Sequence, residues 1–378
     1  MSSKKFFQME TNSPKIAIIV LNWNGWQNTV ECLESLQKVD YPCYEIIVVD
    51  NGSTDNSMEM IKKWGEGDIP INTKFVSFNH TSKPVRCIQY ERELAEEGGD
   101  GREKESHKLP SHRKLTIIYT RENLGFAGGC NVGMRYALKK GDFNYILILN
   151  NDTVVAPDFL MRMVGTGEMD EELGIIGGRI YYYDNPQIIW YGGGRFSLWK
   201  ASGYHEYYQK TDEKLEREIN LKNLKKVVGA TFITGCLMLI RKELLQDLGL
   251  FREDYFLSAE DTDFCYRALK NHWKMRVNLE ARIWHKVGHG DKVGHGKERE
   301  ASLINTYYET RNRLFFASEN IKKAEHKIIF ILFFIFSRLI RILMWGISGK
   351  KKVIKGTVMG ARDFMRGKRG KGGECQKS

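Results

Sequence analysis

Two apolar runs that each end in an aspartate restrict this chain more than any other feature. Residues 145–149 read YILIL and run into Asn150-Asn151-Asp152; residues 45–49 read EIIVV and run into Asp50. Short runs rich in Ile, Leu and Val are the pattern of strands buried on both faces. Helical patterns alternate with them, the grammar of a doubly wound α/β sheet. In open sheets of that kind, ligands bind at the carboxyl ends of the strands. Two strand ends tipped by carboxylates therefore point to a nucleotide and metal site.

The rest of the chain extends this pattern. Residues 15–25 (KIAIIVLNWNG) predict a first strand ending in a polar turn and feeding a helix. Ser53 or Asp55 is placed to cap the helix after the second strand. Residues 74–78 (KFVSF) predict a short strand. The polar stretch 79–114 has no sustained apolar period and reads as a surface insertion, partly helical around 90–97. Segments 174–183 and 188–196 look extended, 234–251 is a strand entering a helix, and 274–286 is a further strand. A glycine-rich loop with a short tandem duplication (VGHGDKVGHG) follows, and no long-period repeat is present.

At 378 residues the chain has room for one large α/β domain and an appendage. The formal net charge of +11 is uneven: from Lys350 onward there are ten Lys/Arg against two acids. Such a basic tail suits an anionic surface, and no nucleic-acid partner is expected for the near-neutral body. Seven scattered cysteines without a CxxC pair suggest neither a zinc site nor a disulfide framework. The first fifteen residues lack the apolar core of a signal peptide, which favours a cytoplasmic body.

Each candidate group also has a plainer reading. Asp50 at a strand end can accept the imide N–H of a uracil or thymine base, or simply cap the next helix. Asn150-Asn151-Asp152 offers oxygens to magnesium or manganese, with the substrate's phosphates completing the shell; NND is equally an ordinary Asx turn. Glu260, Asp261 and Asp263 open a helix, where one carboxylate is a candidate general base. Ser258 and Asp261 also have capping-box spacing, and acids suit a helix N-terminus in any case. His285 closes a strand before a glycine loop, a better position for a metal ligand than most lone histidines have. His289 and His295 belong to the duplicated loop.

In order along the chain, VLNWNG, VVDNGSTD, ENLGFAGGCNVG, LILNND, TGCLMLIRKELL, GLFREDYFLSAEDTDFCYRA and IWHKVG resemble the family 2 glycosyltransferases of the GT-A fold, and within them a rhamnosyltransferase-like subgroup. The resemblance covers about residues 15–290 and skips the 79–114 insertion. It implies a GT-A domain over 15–298 with a central mixed, mostly parallel sheet, followed by a helical, basic segment over 299–378. It further implies a nucleotide pocket lined by Leu21, Asn22, Asn24, Asp50 and Asn51, approached by Asn123, Gly128, Asn131 and Asn151. Asp152 matches the metal-binding acid of a DXD-type motif whose first acid is here Asn150, and His285 matches a histidine that completes the shell in some members. Asp261 matches the catalytic base, with Glu260 beside it. The implied reaction is an inverting transfer from a UDP- or dTDP-sugar, rhamnose among the candidates, to a glycan or lipid-linked acceptor in cell-surface polysaccharide synthesis.

The segment 327–347 holds only ten uncharged residues between Lys327 and Arg338, short of the ~20 that span a bilayer. Lys323, Lys327, Arg338 and Arg341 fall in one stripe about 60° wide on a helix otherwise largely apolar. That pattern predicts a helix lying on the inner face of an anionic membrane; packing on the protein body is the alternative. Among rival functions, a processive synthase lacks its QxxRW string. A sugar nucleotidylyltransferase lacks its glycine- and arginine-rich loop. A non-catalytic nucleotide-sugar binder has no need of Asp152, Asp261 and His285 together.

Overall fold

The computed structural model describes residues 13–102, 108–221, 226–287 and 303–372. The strands are β1 (Ile16–Asn22), β2 (Tyr44–Asp50), β3 (Arg86–Glu91), β4 (Lys114–Tyr119), β5 (Tyr145–Asn150), β6 (Thr153–Val155), β7 (Leu173–Tyr182), β8 (Ile189–Tyr191), β9 (Gly194–Ser197), β10 (Ser202–His205), β11 (Val227–Ala230), β12 (Leu237–Arg241) and β13 (Lys274–His285). The helices are α1 (Trp26–Leu36), α2 (Ser57–Glu66), α3 (Arg92–Glu96), α4 (Gly125–Lys140), α5 (Phe159–Gly167), α6 (Asp212–Leu221), α7 (Lys242–Leu248), α8 (Glu260–Lys270), α9 (Leu303–Asn320), α10 (Ala324–Ile347) and α11 (Lys351–Met365).

Eleven strands form one mixed sheet in the order β11-β13-β7-β12-β5-β1-β2-β4-β3, with β6 on β13 and β8 on β7. β3, β4, β2, β1 and β5 run parallel, and β12 enters antiparallel between β5 and β7. β1, β2 and β5 are buried almost throughout, which explains their unbroken apolar sequences. The chain moves from β1 to β2 on one side and later returns to β5 on the other. This topological switch point sets the carboxyl ends of β1, β2 and β5 side by side, with Asn22 opposite Asp50 and Leu21 opposite Asn150. α4 lies across β1 and β2 through glycines: a Cβ on Gly129 would sit 2.4 Å from Leu21 Cδ1, and one on Gly133 2.8 Å from Ile19 Cγ2.

Two local expectations are corrected. Residues 74–78 are not a strand; Thr73 Oγ1 accepts from the amides of Phe75 and Val76 and folds the segment into a turn. The stretch 79–114 is not all surface loop, because Arg86–Glu91 is the edge strand β3 and Arg92–Glu96 is helical. Only Ile88 and Tyr90 of that strand face inward, so its sequence has no continuous apolar run. The expected boundary near 298, His289, His295 and the duplicated loop lie outside the described residues.

The C-terminal helices are seated on the α/β body. Tyr307, Tyr308 and Phe316 of α9 are fully buried, and α11 closes on α9 through Gly356 and Gly360, where a Cβ would lie 2.5 Å from the Leu303 and Tyr307 carbonyls. α10 touches the body along one edge only, through Phe330, Phe334 and Arg338. The expected exposed basic stripe is therefore corrected at Arg338, which is 5% exposed, stacks on Phe334 and faces Glu309 at 3.6 Å. Its long stem covers apolar surface while its head finds a carboxylate. The apolar remainder of α10, including Ile328, Leu332, Ile335, Phe336, Leu339 and Leu343, is exposed. By length and composition α10 could cross a membrane.

Gly360→Ala should force α11 away from α9 and cost about 1–3 kcal/mol. The matched Gly346→Ala, where a Cβ meets open space, should be neutral or stabilising by up to about 1 kcal/mol. Urea midpoints of the two variants check the contrast.

Candidate active site

At the end of β1, Asn22 is fully buried, and its Nδ2 donates to Asp50 Oδ1 (3.3 Å) and Ser53 Oγ (3.1 Å) while its Oδ1 accepts from Thr29 Oγ1 (2.7 Å). Asn24, at φ 49°, accepts through Oδ1 from the amides of Thr54 and Asp55. These bonds lock the β1 and β2 turns together and leave Trp23 between them, 53% exposed. Asp55 accepts from Ser57 N at the start of α2 as a cap would, whereas Ser53 serves the β1 turn. Asp50 is 6% exposed at the end of β2, where it and Asn22 form a wall across the two strand ends.

Asn51, Asn123, Gly128 and Asn131 form a layer behind that wall. Asn51 Nδ2 donates to Gly125 O (3.0 Å) and Asn123 Oδ1 (3.2 Å), and its Oδ1 accepts from Leu124 N (3.0 Å). Asn131 Nδ2 donates to Phe251 O and Glu253 Oε1, and its Oδ1 accepts from Phe251 N. The polar groups of both side chains are thus engaged by protein. Gly128 lets the helix close on Leu124, whose Cβ would be 2.8 Å from an added methyl. Leu21 packs beneath Gly129 rather than standing free.

The second cluster surrounds the end of β5. Asn151 Nδ2 donates to Thr29 Oγ1 (2.9 Å), and Asp152 is joined to His285 through the β6–β13 pairing. His285 Nε2 lies 3.1 Å from Asp152 Oδ1, yet out of line, so this oxygen has no hydrogen-bond donor and His285 Nδ1 has no hydrogen-bond partner. Burial pulls the imidazole down, but the Asp152 carboxylate outweighs it and holds His285 protonated well above its ordinary range. Burial likewise pushes Asp152 up, and His285 reverses this to a net lowering. Once His285 gives up that proton, the buried carboxylate and imidazole form a donor set that fits a hard or borderline divalent cation. No cluster of three His, Cys, Asp or Glu suited to a metal exists among the described residues. Asp152 and His285 supply at most two protein ligands.

The third cluster is the start of α8. Asp261 Oδ2 accepts from Gly235 N (3.2 Å) and Oδ1 from Thr262 N (2.7 Å). Burial raises its pKa, and burial followed by the Asp261 charge raises that of Glu260 to about 8. Glu260 is 6% exposed with Oε2 unpartnered. The capping box expected from Ser258 does not form: Ser258 and Ala259 lie at φ 69° and 75°, and no side chain caps α8. Asp263 is a structural acid that holds Arg267 at 2.8 Å.

The turn Thr234-Gly235-Cys236 joins the second and third clusters. Cys236 O accepts from Asn150 N (3.1 Å), the Cys236 thiol neighbours His285, and Gly235 N holds Asp261. Sequence reasoning quoted this turn within TGCLMLIRKELL but gave it no role, and did not single out Trp190, whose ring stands 4.9 Å from that of His285, or His205, whose Nδ1 is 3.0 Å from Trp190 O. The readable signals were the glycines at 192–194 and at 235, which mark close backbone approach.

Two family models match this chain: glycosyltransferase-like family 2 over residues 104–319 and glycosyl transferase family 2 over 17–82. The chain belongs to glycosyltransferase family 2. Among curated relatives, a low-salt glycan biosynthesis hexosyltransferase of Haloferax volcanii is 26% identical over 56% of this chain and 62% of its own length. A dTDP-rhamnosyl transferase of Shigella flexneri is 23% identical over 56% of this chain and 66% of its own. The chain thus spans less than two thirds of the length of either. A solved mannosyltransferase from Pyrobaculum calidifontis, in complex with GDP-Man and Mn2+, aligns over 95% of this chain and 89% of its own at 15% identity and a TM-score of 0.46. The mixed, mostly parallel sheet with flanking helices is the GT-A arrangement expected of this family.

Because Glu260 binds its proton more tightly folded than unfolded, its contribution to stability is full below the ordinary value of 4.5 and is lost as pH rises through about 8. Melting curves from pH 5 to 9 should show Glu260→Gln gaining on the parent as pH rises. A constant gap would mean that the two states bind that proton equally.

Proposed function

We propose that this chain is an inverting, metal-assisted hexosyltransferase that moves a sugar from a UDP- or dTDP-sugar to a hydroxyl of a glycan or lipid-linked acceptor, on the cytoplasmic face of a membrane, in cell-surface polysaccharide synthesis. The observation that carries it is the meeting of Asp152, His285 and Asp261 around the 234–236 turn, beside the Asn22–Asp50 wall. The rhamnosyl relative, itself named for a dTDP-sugar, supports that donor class.

Asp50 accepts the imide N–H of the base, and Asn22 orients its carboxylate. Asp152 and His285 would hold magnesium or manganese, which when bound supplies positive charge to the departing diphosphate. Asp261 takes the proton from the acceptor hydroxyl. The acceptor oxygen forms its bond to the anomeric carbon as the bond from that carbon to the phosphate oxygen breaks, and the nucleoside diphosphate leaves with the electron pair. A single displacement from the opposite face inverts the anomeric configuration. Glu260, kept protonated by burial, adds no second charge beside the base at neutral pH.

α10 supports a membrane partner. Arg338 turns toward the body while the exposed surface of the helix is apolar apart from Glu325, Lys327 and Arg341, the reverse of a soluble helix. Spanning would strip Arg338 and Phe334 from their contacts, so the helix rests on the bilayer surface. Exposed Lys351, Lys352 and Lys355 on α11 add attraction to anionic lipid.

Asp261→Asn should lower kcat by about 10²–10⁴-fold with donor affinity little changed; a variant with normal turnover removes Asp261 as the base. Asp152→Ala should abolish the manganese dependence of donor binding in calorimetry as well as transfer. Binding of the donor with metal but without transfer to any acceptor, in the parent as in the variants, would leave a non-catalytic binder. Full-length protein should sediment with anionic liposomes, and Leu332→Asp with Leu339→Asp should release it. Equal partitioning of both proteins would assign that face to another role.

A further inference from the structure

The segment 255–259, which delivers Glu260 and Asp261, is strained and is held from outside the catalytic sheet. Phe256, Ser258 and Ala259 all have positive φ (64°, 69° and 75°). Phe256, at ψ −58°, is the centre of a γ-turn closed by Leu257 N donating to Tyr255 O at 2.7 Å. This γ-turn geometry is the rare, strained form, and a non-glycine residue in such regions costs about 1–3 kcal/mol unless its surroundings enforce it.

The enforcement comes from α9. Asn312 Nδ2 lies 2.8 Å from each of the carbonyls of Tyr255, Leu257 and Ser258, its two hydrogens shared among the three. Its Oδ1 accepts from Arg311 Nε at 2.9 Å, which fixes the amide orientation, because a flipped amide would face three carbonyls with its own oxygen. Arg311 adds Nη2 to Tyr255 O (3.2 Å) and is anchored through Nη1 to Tyr307 Oη (3.3 Å) and Gly370 O (2.8 Å). Both side chains are fully buried. On the opposite side the Phe256 carbonyl accepts from Phe126 N (2.7 Å), at a place where only glycine fits at 125. The loop is gripped between the glycine-rich turn and α9.

We infer that Asn312, oriented by Arg311, is a positioning residue for the acceptor-activating carboxylate: it holds the 255–259 backbone in the shape that sets Asp261 against Gly235. Neither side chain reaches the Asn22–Asp50 wall or the Asp152–His285 pair by any contact described above, so its effect falls on turnover and not on donor capture. The inference rests on the assignment of Asp261 as base.

The test uses the full chain. Asn312→Ala and Asn312→Asp, the latter equal in size but without donors, should lower kcat by at least about tenfold while donor KM stays within about twofold. Manganese-dependent donor binding by calorimetry should match the parent. Hydrogen exchange should quicken across 255–261 and stay unchanged in β1 and β5. If Asn312→Ala does not fold, Asn312→Gln, which keeps the amide donors one methylene further out, should give a smaller kcat loss in the same direction. A folded Asn312→Ala protein with parental kcat, or one whose donor KM rises in step with the kcat loss, overturns the positioning role alone. A parent that transfers no sugar overturns the transferase reading and this role with it.

Discussion

The hydrogen bond from Asn150 N to Cys236 O is the junction on which the site depends. It exists because β12 runs antiparallel to β5 in the middle of an otherwise parallel half-sheet, so the end of one strand meets the beginning of the other. From that junction the chain on one side continues into Asn151 and Asp152. On the other, the turn before β12 offers Gly235 N to Asp261 and the Cys236 thiol to His285. Asp152, His285 and Asp261, from three distant parts of the sequence, are thereby brought around one short turn. Since β5 and β12 are both buried, the junction is rigid, as a site needs when its groups must stay in register.

Rigidity at the sheet contrasts with strain at α8. The helix starts without a side-chain cap, after two residues in the left-handed region, and its first two side chains are carboxylates, Glu260 buried and Asp261 half-buried. Left to itself this segment would relax. It is kept in place by buried polar side chains of α9, by the Gly125 contact, and by ion pairs that bind Arg252, Asp254, Glu319 and Arg369 together at the edge of the loop. The C-terminal helices therefore hold the loop that precedes α8.

Much of the parallel half was legible in advance because burial on both faces forces continuous apolar runs, which is what residues 16–21, 46–49 and 145–149 display. The edge strand β3 was not legible, since an edge strand buries one face and needs only Ile88 and Tyr90. Arg338 was misread because a helical projection shows which residues share a stripe but not which stripe meets the protein. Asn51 and Asn131 were read as pocket residues and are found tied to the backbone of neighbouring loops; a polar residue near a motif carries the same letter whether it serves the ligand or the loop.

The sequence by itself determined the alternation of strands and helices, the strand ends at Asp50 and Asp152, and the membership of a glycosyltransferase family, because each of these is encoded locally by period, composition or ordered motifs. Only the tertiary structure decided that Gly235 holds Asp261, that Asp152 faces His285 with an unshared oxygen, and that Asn312 grips three carbonyls of a strained loop. Those facts depend on contacts between residues 26 to 133 positions apart, and such contacts are set by packing and sheet order, which local sequence does not carry.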